Sequence, residues 1–357
     1  MQTVIFGAQG IALTVYEAYT ISNSDKKVEC FLVTSYENNP SSLASLPVLT
    51  LEDYSKECAD KSDVQILVAT PANVMDGIVD SLHAAGFYNI TLMKDEELNN
   101  LCTEASKRGV GYSSVYSLDA GREQSSLNVF MACSKYDKPL IRKYDIPKYM
   151  IPIHVGAAGP DNMNAQLFDD TGINISHKNG NYCELTGLYW VWKNVLNEAG
   201  NESNYYGLCQ YRRFLDLSED DLRRIKANDI DVVLPFPLTY EPDILEHRKR
   251  YIKDEDWDAL LRALEELHPE QMPAVKMILQ QKWLFNYNVI LAKKSVLKEY
   301  CQWLFPILEK VEEYSDPKGN QRSDRYIGYM GETLETIYFM LNKDKYKIVH
   351  GGCRLLV

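Results

Sequence analysis

The sequence contains no run of about 20 apolar residues, no CxxC or CxxH spacing among its eight cysteines, and no repeat at a fixed period. The first absence leaves no candidate for a membrane-spanning helix. The second removes any zinc frame or disulfide scaffold, so the scattered thiols read as reduced. The third excludes a solenoid. Positive charge is scarce too: 38 Lys and Arg stand against 50 Asp and Glu, a formal net charge of -12. Nucleic acid is therefore not an expected partner, because neutralising phosphate takes clustered cations. Any anion site must be local. The N-terminus shows no charged segment followed by an apolar stretch, which predicts a cytoplasmic protein.

What is present is ordinary globular material, 45% hydrophobic and 25% charged, and 357 residues suffice for about two domains. TVIFGAQGIALTVYEAY reads as a strand, a Gly-containing turn and a helix. KKVECFLVT, VQILVATP and NITLM supply further strands, with the helix ANVMDGIVDSLHAAGF between the last two. Strands alternating with helices predict an N-terminal Rossmann-like parallel sheet over residues 1–110. Its turn is degenerate: Gly7 and Gly10 are present, but Gln9 stands where a dinucleotide fingerprint wants glycine. Gly7, Gln9 and Gly10 are the candidate ligand contacts of this domain, and a helix N-terminus is where a phosphate would sit. Residues 105–127 are rich in Ser and Gly with weak periodicity, which places a linker at 111–127.

The second domain, 128–357, carries the denser signals. FDDTGINISHKNGNYCELTGLYWVWKNVL begins as a polar loop and ends with Leu185, Leu188, Tyr189, Trp192 and Val195 at helical spacing. Asp169, Asp170, Asn174, Lys178, Asn179 and Glu184 offer more hydrogen-bonding capacity than one turn consumes, and are candidate contacts to a ribose, uracil or sugar hydroxyl. YYGLCQYRRF is an apolar strand ending in Arg212 and Arg213. Asn286 and Asn288, at strand spacing, point the same way and are candidate donor or acceptor contacts. Trp283, Phe285, Trp303 and Phe305 read as packing, with a sugar platform open for one of them.

IPIHVGAA, DDTGINISHKNGNYCELTGLYWVWKN, YYGLCQYRRF, DVVLP, FNYNVILAKKSVLKEYCQWLFPILE and RYIGYMGETLETIYF, in that order, resemble the bacterial capsular and exopolysaccharide glycosyltransferases long filed as a domain of unknown function, which include galactofuranosyltransferases. The resemblance implies a GT-A-like α/β domain that moves a sugar from a UDP-sugar to a growing glycan. It further implies a lipid-linked oligosaccharide acceptor and a place at the inner face of the cytoplasmic membrane. That family commonly has His where this chain has Gln210. Separately, GAQGIALTVYEAY with LPVLTLEDY and VATPANVMDGIVDSLHAAGF resembles the nucleotide-sugar-binding domain of sugar O-acyltransferases.

Transfer from a nucleotide donor builds negative charge on a departing diphosphate. Guanidinium groups meet phosphate oxygens with paired, charge-assisted hydrogen bonds, so Arg212 or Arg213, with Arg325, is assigned to the diphosphate. The alternative is a pair of bridges to Asp216 or to the acidic run 218–221. Asp229 and Asp231 form an Asp-x-Asp and are the weak candidates for Mn²⁺ or Mg²⁺, although a turn into the VVLP strand explains them as well. No cofactor is required by this reading. The resemblance implies Glu332, at the start of an apolar helix pattern, as the candidate base for the acceptor hydroxyl, the alternative being a helix N-terminal acid that complements the dipole; His247 is second choice. His154 and His177 read as structural. The basic run 247–253 is a solvated face or a contact to an anionic membrane surface. Two rival functions remain: a non-catalytic nucleotide-sugar-binding subunit, with Gln210 marking lost activity, and an NAD(P)-dependent sugar oxidoreductase resting on Gly7 and Gly10.

Overall fold

The structure is a computed structural model that describes residues 1–140, 144–159, 165–198, 203–318 and 322–356. Its first sheet comprises β1 (Gln2–Phe6), β2 (Val28–Val33), β3 (Ser42–Leu43), β4 (Leu46–Thr50), β5 (Val64–Val68) and β6 (Ile90–Leu92). The strand order is β3-β4-β2-β1-β5-β6, parallel apart from the β3–β4 pair. Helices Gly10–Ser22, Leu51–Glu57 and Ala72–Ala84 make the crossovers. This is the doubly wound order expected of a Rossmann-like unit. Alternation along β1 sends Ile5 to one core, and Val4 and Phe6 to the other, as a sheet covered on both faces requires. The sequence pattern did not reveal β4, whose buried Val48 is flanked by partly exposed positions.

The second sheet is mixed. It contains β7 (Leu127–Cys133), β8 (Met150–His154), β9 (Leu167–Phe168), β10 (Tyr205–Gln210), β11 (Arg213–Leu215) and β12 (Val232–Pro235). β13 (Leu238–Thr239) and β14 (Trp283–Leu284) form a separate two-stranded ribbon, and β15 (Ile290–Lys293), β16 (Ile348–Gly351) and β17 (Cys353–Leu355) complete the large sheet. β10 runs parallel to β7 and antiparallel to β15, at the centre. Tyr206 and Leu208 face a core shared with helices Leu185–Asn194, Asp254–Leu267, Lys294–Tyr314 and Tyr326–Leu341. Tyr205 and Cys209 face the smaller core on the other side. In helix Tyr326–Leu341 the residues Ile327, Met330, Leu334, Ile337 and Phe339 are all fully buried. At about 1.5–3 kcal/mol for each such side chain, that face fixes the helix in place. The mixed α/β architecture with a GT-A-like second half agrees with the fold expected from the sequence.

The segment read as a linker is well packed. Ser114 and Val115 are fully buried, the amide of His350 donates to Ser113, and the Tyr116 hydroxyl accepts from the amide of Gly352. The two sheets also meet directly. The hydroxyl of Thr14, on helix Gly10–Ser22, accepts from the buried amide of Thr239, and Glu17 accepts from the Thr239 hydroxyl and the Trp283 indole. Glu17→Ala leaves both of those donors unpaired at the junction, which is expected to cost about 1–3 kcal/mol and lower the thermal midpoint. An unchanged midpoint in a thermal scan would show that water replaces the carboxylate at no cost.

Candidate functional site

β10 ends at Gln210, a two-residue turn follows, and Arg213 opens β11, paired back onto Gln210. The turn puts Arg212 and Arg213 at the tip of the central strand. Both line a cleft of about 330 Å³, together with Glu184, Arg325 and Glu332. Arg325 sits in a left-handed conformation just before helix Tyr326–Leu341, with its amide held by the Asn181 side chain, and its Nε donates to the Cys183 sulfur. Glu332 is one and a half turns into that helix, not at its start, so it does not complement the helix dipole.

Among the described residues none of these three guanidinium groups has a carboxylate within bridging distance. The acids that might have taken them are occupied elsewhere. Asp216 pairs with Arg354, Glu219 and Asp220 with Arg223, and Asp221 with Arg224. Arg213 instead stands over the Tyr287 ring, 3.6 Å from its centroid, and Arg212 over Tyr211 at 5.6 Å. Ring stacking holds the cations in position without neutralising them. Two half-buried cations and an exposed third, converging on one cleft with no bridging carboxylate among the described residues, suit an anion.

The cleft also holds the acids. Burial pushes Glu332 up to about 8, aided by the charge of Glu184 and opposed by Arg213 and Arg325. Glu184 is fixed by the Asn288 amide at 2.8 Å. One helical turn beyond Glu332, Glu335 is buried with neither oxygen hydrogen-bonded among the described residues, and burial, aided by the charges of Glu332 and Glu184, pushes its carboxyl well above the usual carboxylate range. Burial, with the charge of Arg250 beside it, lowers His247 to about 4, so its ring is neutral at physiological pH. It stacks on Tyr240 with centroids 3.5 Å apart.

Tyr240 and His247 also line a second, wider cleft of about 820 Å³ between the two sheets. Its other wall is the first sheet's Gly turn and the loop that leads into β3. Gly7 has φ +131 and a side chain there would collide with the Ala69 carbonyl, 2.5 Å from its Cβ position. Gly10 is small for a different reason, since a Cβ would lie 2.8 Å from the Tyr240 ring. Gln9 reaches across, accepting from Arg250 at 2.7 Å while donating to the Asn38 carbonyl and the Asn39 side chain.

Comparison with known proteins now places the chain. The family model described as a domain of unknown function, DUF4422, matches residues 138–344, more than half of the sequence. The chain belongs to this family. The apo structure of the WbbM bifunctional glycosyltransferase is similar, with TM-score 0.54 and 27% identity, covering 65% of this chain and 45% of that one. The chain thus spans under half the length of that protein. Core-mannan synthase A (CmsA/Ktr4) from Aspergillus fumigatus in its Mn/GDP form aligns at TM-score 0.25 and 9% identity, over 98% of this chain and 72% of that one, too weakly to carry an argument. No curated protein matches the sequence.

Within the DUF4422 region the structure gathers Glu184, Gln210, Arg212, Arg213, His247, Asn286, Arg325 and Glu332 into one cleft, and it separates others from it. Asp169 is fully buried and accepts from the amides of Gly156 and Ala157 and the Ser176 hydroxyl. The Asp170 carbonyl accepts from the Asn174 amide, Lys178 pairs with Glu312, and Asn179 donates to the Cys183 carbonyl. These five lie in the segment that leads to Glu184; ligand contact by them was expected from their polarity, but none lines the cleft, and the side chains of Asp169, Asn174, Lys178 and Asn179 bond within the fold. Asn286 and Asn288 are likewise not strand neighbours. They lie in the loop between β14 and β15, where Tyr287 and Asn288 both have positive φ, so only Asn286 reaches the cleft and Asn288 braces Glu184 from behind. Gln210 donates to the Tyr287 carbonyl at 2.9 Å and anchors that turn. Asp229 and Asp231 both pair with Lys293, outside the cleft lining.

Sequence reasoning missed the aromatic wall. Tyr240, Tyr251, Tyr287 and Tyr329 line the cleft, with Tyr251 stacked on Tyr329 at 4.7 Å and half exposed. Three of the four fall in stretches where charge or Asn drew the eye. Trp303 and Phe305 are core, Phe305 lying flat against Trp192.

Proposed function

We propose that the protein is a hexosyltransferase that moves a sugar from a UDP-sugar, UDP-galactofuranose or UDP-galactose first among them, to a lipid-linked oligosaccharide of a bacterial surface polysaccharide. The observation that carries the reading is the set of three guanidinium groups with no bridging carboxylate among the described residues, in one small-ligand-sized cleft with a carboxyl group of raised pKa. Cleaving the bond between the anomeric carbon and the diphosphate leaves negative charge on the phosphate oxygens. Arg212, Arg213 and Arg325 are positioned to receive it. Glu332 takes the proton of the attacking acceptor hydroxyl. Tyr251 and Tyr329 offer ring faces to the base or the sugar. Two terms from the sequence carry less weight. Of the basic run, Arg248 pairs with Asp254 and Lys249 with Glu246, which reduces the charge left for a peripheral contact with an anionic membrane. The oxidoreductase reading loses its premise, because Gly7 and Gly10 answer to contacts with Ala69 and Tyr240.

The test of the class is turnover of radiolabelled UDP-sugars in the presence of membrane lipid extracts carrying polysaccharide intermediates. Label passing into the lipid-linked fraction supports transfer. UDP-sugar binding without transfer supports a binding subunit instead. A pH dependence follows from Glu332. The base works ionised, so kcat/KM is expected to climb about tenfold per pH unit below about 8 and level off above it. A profile flat from pH 6 to 9 would remove Glu332 from the base role.

A further inference from the structure

The arginine cleft holds about 330 Å³, the lower end of what a small-ligand site encloses, whereas its neighbour holds about 820 Å³. The two share Tyr240 and His247 in their walls. Half of the wider cleft's wall comes from residues 8–43, outside the family match at 138–344.

The two clefts differ in charge. In the narrow one no guanidinium group has a bridging carboxylate among the described residues. In the wide one Lys249 pairs with Glu246 and Lys282 with Glu241, and Arg250 is engaged by the neutral amide of Gln9. Gly10, the glycine that would let a phosphate approach the helix start, instead has the Tyr240 ring against it. Apart from the Arg250 guanidinium, which keeps its charge, what remains along the first-sheet wall are uncharged hydrogen-bonding groups, Gln9, Asn38, Asn39 and Ser42, beside the apolar faces of Pro40 and Leu43. Amides and hydroxyls next to small apolar faces suit polyhydroxylated rings, which need many directional hydrogen bonds and no counter-charge.

We propose that this wide cleft binds the uncharged saccharide end of the acceptor, so that the first sheet selects the acceptor while the arginine cleft binds the donor. The assignment rests on the transfer reading above for the word acceptor, but its physical content is a neutral-glycan site. Hydrogen bonds tie the two walls together, with the Ala44 amide donating to Glu241 at 2.8 Å and the Thr239 amide to Thr14 at 2.8 Å.

The test uses the full chain, an array of immobilised neutral oligosaccharides and, separately, UDP followed by calorimetry. Two variants probe the wall. Ser42→Trp fills the cleft from an exposed strand position. Asn38→Gly removes an amide at a residue of φ 59, a conformation glycine adopts freely, and so guards against misfolding. The wild-type chain is expected to retain one or more neutral oligosaccharides; Ser42→Trp should weaken that retention at least tenfold and Asn38→Gly severalfold, with UDP affinity unchanged in both. Retention that survives Ser42→Trp, or no retention by the wild type, would overturn the proposal. Parallel loss of UDP in Asn38→Gly would put the nucleotide in this cleft and overturn it as well. Glycan binding by a wild type that ignores UDP would instead sink the donor reading and leave this site standing.

Discussion

Alanine at both Arg212 and Arg213 is expected to lower sugar transfer by about 10³-fold or more while the chain stays folded. Removing a single fixed donor aimed at developing charge costs about 10²–10³ in rate, and here two full positive charges go at once. The folding half of the expectation comes from what the arginines do not do. Neither is bridged to a carboxylate among the described residues, so their removal strands no buried counter-ion there, the usual source of a large stability loss. What is lost is stacking on Tyr287 and Tyr211, worth about 0.5–2 kcal/mol a contact. Lysine at the same positions should recover part of the rate, because it restores charge but not the paired hydrogen bonds to phosphate. Arg325, exposed at the rim, is expected to matter less.

The second large effect concerns Glu332. Glu332→Gln is expected to reduce kcat by about 10²–10⁴, the usual contribution of a positioned base, with little change in donor affinity. It should also make the protein more stable above neutral pH. The Glu332 carboxyl rises from an ordinary value near 4.5 to about 8 on folding, so the folded state holds its proton more tightly than the unfolded chain. The stability contributed by that bound proton is complete below about 4.5 and lost as pH climbs toward about 8. Glutamine cannot ionise and escapes the loss. The thermal midpoint of the variant should therefore exceed that of the wild type at pH 8.5 and approach it at pH 4.5. A variant that is inactive and also destabilised at pH 8.5 would mean that Glu332 is a packing residue. The groups that set this pKa, Glu184, Arg213 and Arg325, all face the same cleft, and a bound diphosphate adds negative charge that should move the kcat profile further up in pH.

Much of the fold was legible because burial imposes periodicity. β1, β2 and β5 are near-continuous apolar runs of a sheet covered on both sides, and the helix at 185–194 shows its apolar face in Leu185 and Leu188. β4 was not legible, as an edge-side strand with one fully buried residue carries too little pattern. The candidate site was legible where a residue type is unusual for its setting, as with two arginines at the tip of a buried strand or a carboxylate in an apolar helix. It was not legible where the type is common. Asp169 and Asn179 look like ligand contacts for the same reason that they make good loop formers, since both roles need short polar side chains. Asn286 and Asn288 show the other limit. Spacing of two residues means one face only in a strand, and the positive φ at Tyr287 and Asn288 turns the chain between them. The tyrosine wall escaped notice because aromatic residues are ambiguous between core and platform until exposure is known.

The account stands on fixed guanidinium charge as the holder of the departing nucleotide. Calorimetric titration of UDP into the protein in EDTA addresses it directly, with the Arg212→Ala/Arg213→Ala variant beside it. Binding in EDTA within about threefold of that seen with Mn²⁺, weakened at least a hundredfold in the variant, is the predicted result. Binding that vanishes in EDTA, returns with Mn²⁺ and is indifferent to both arginines would contradict it.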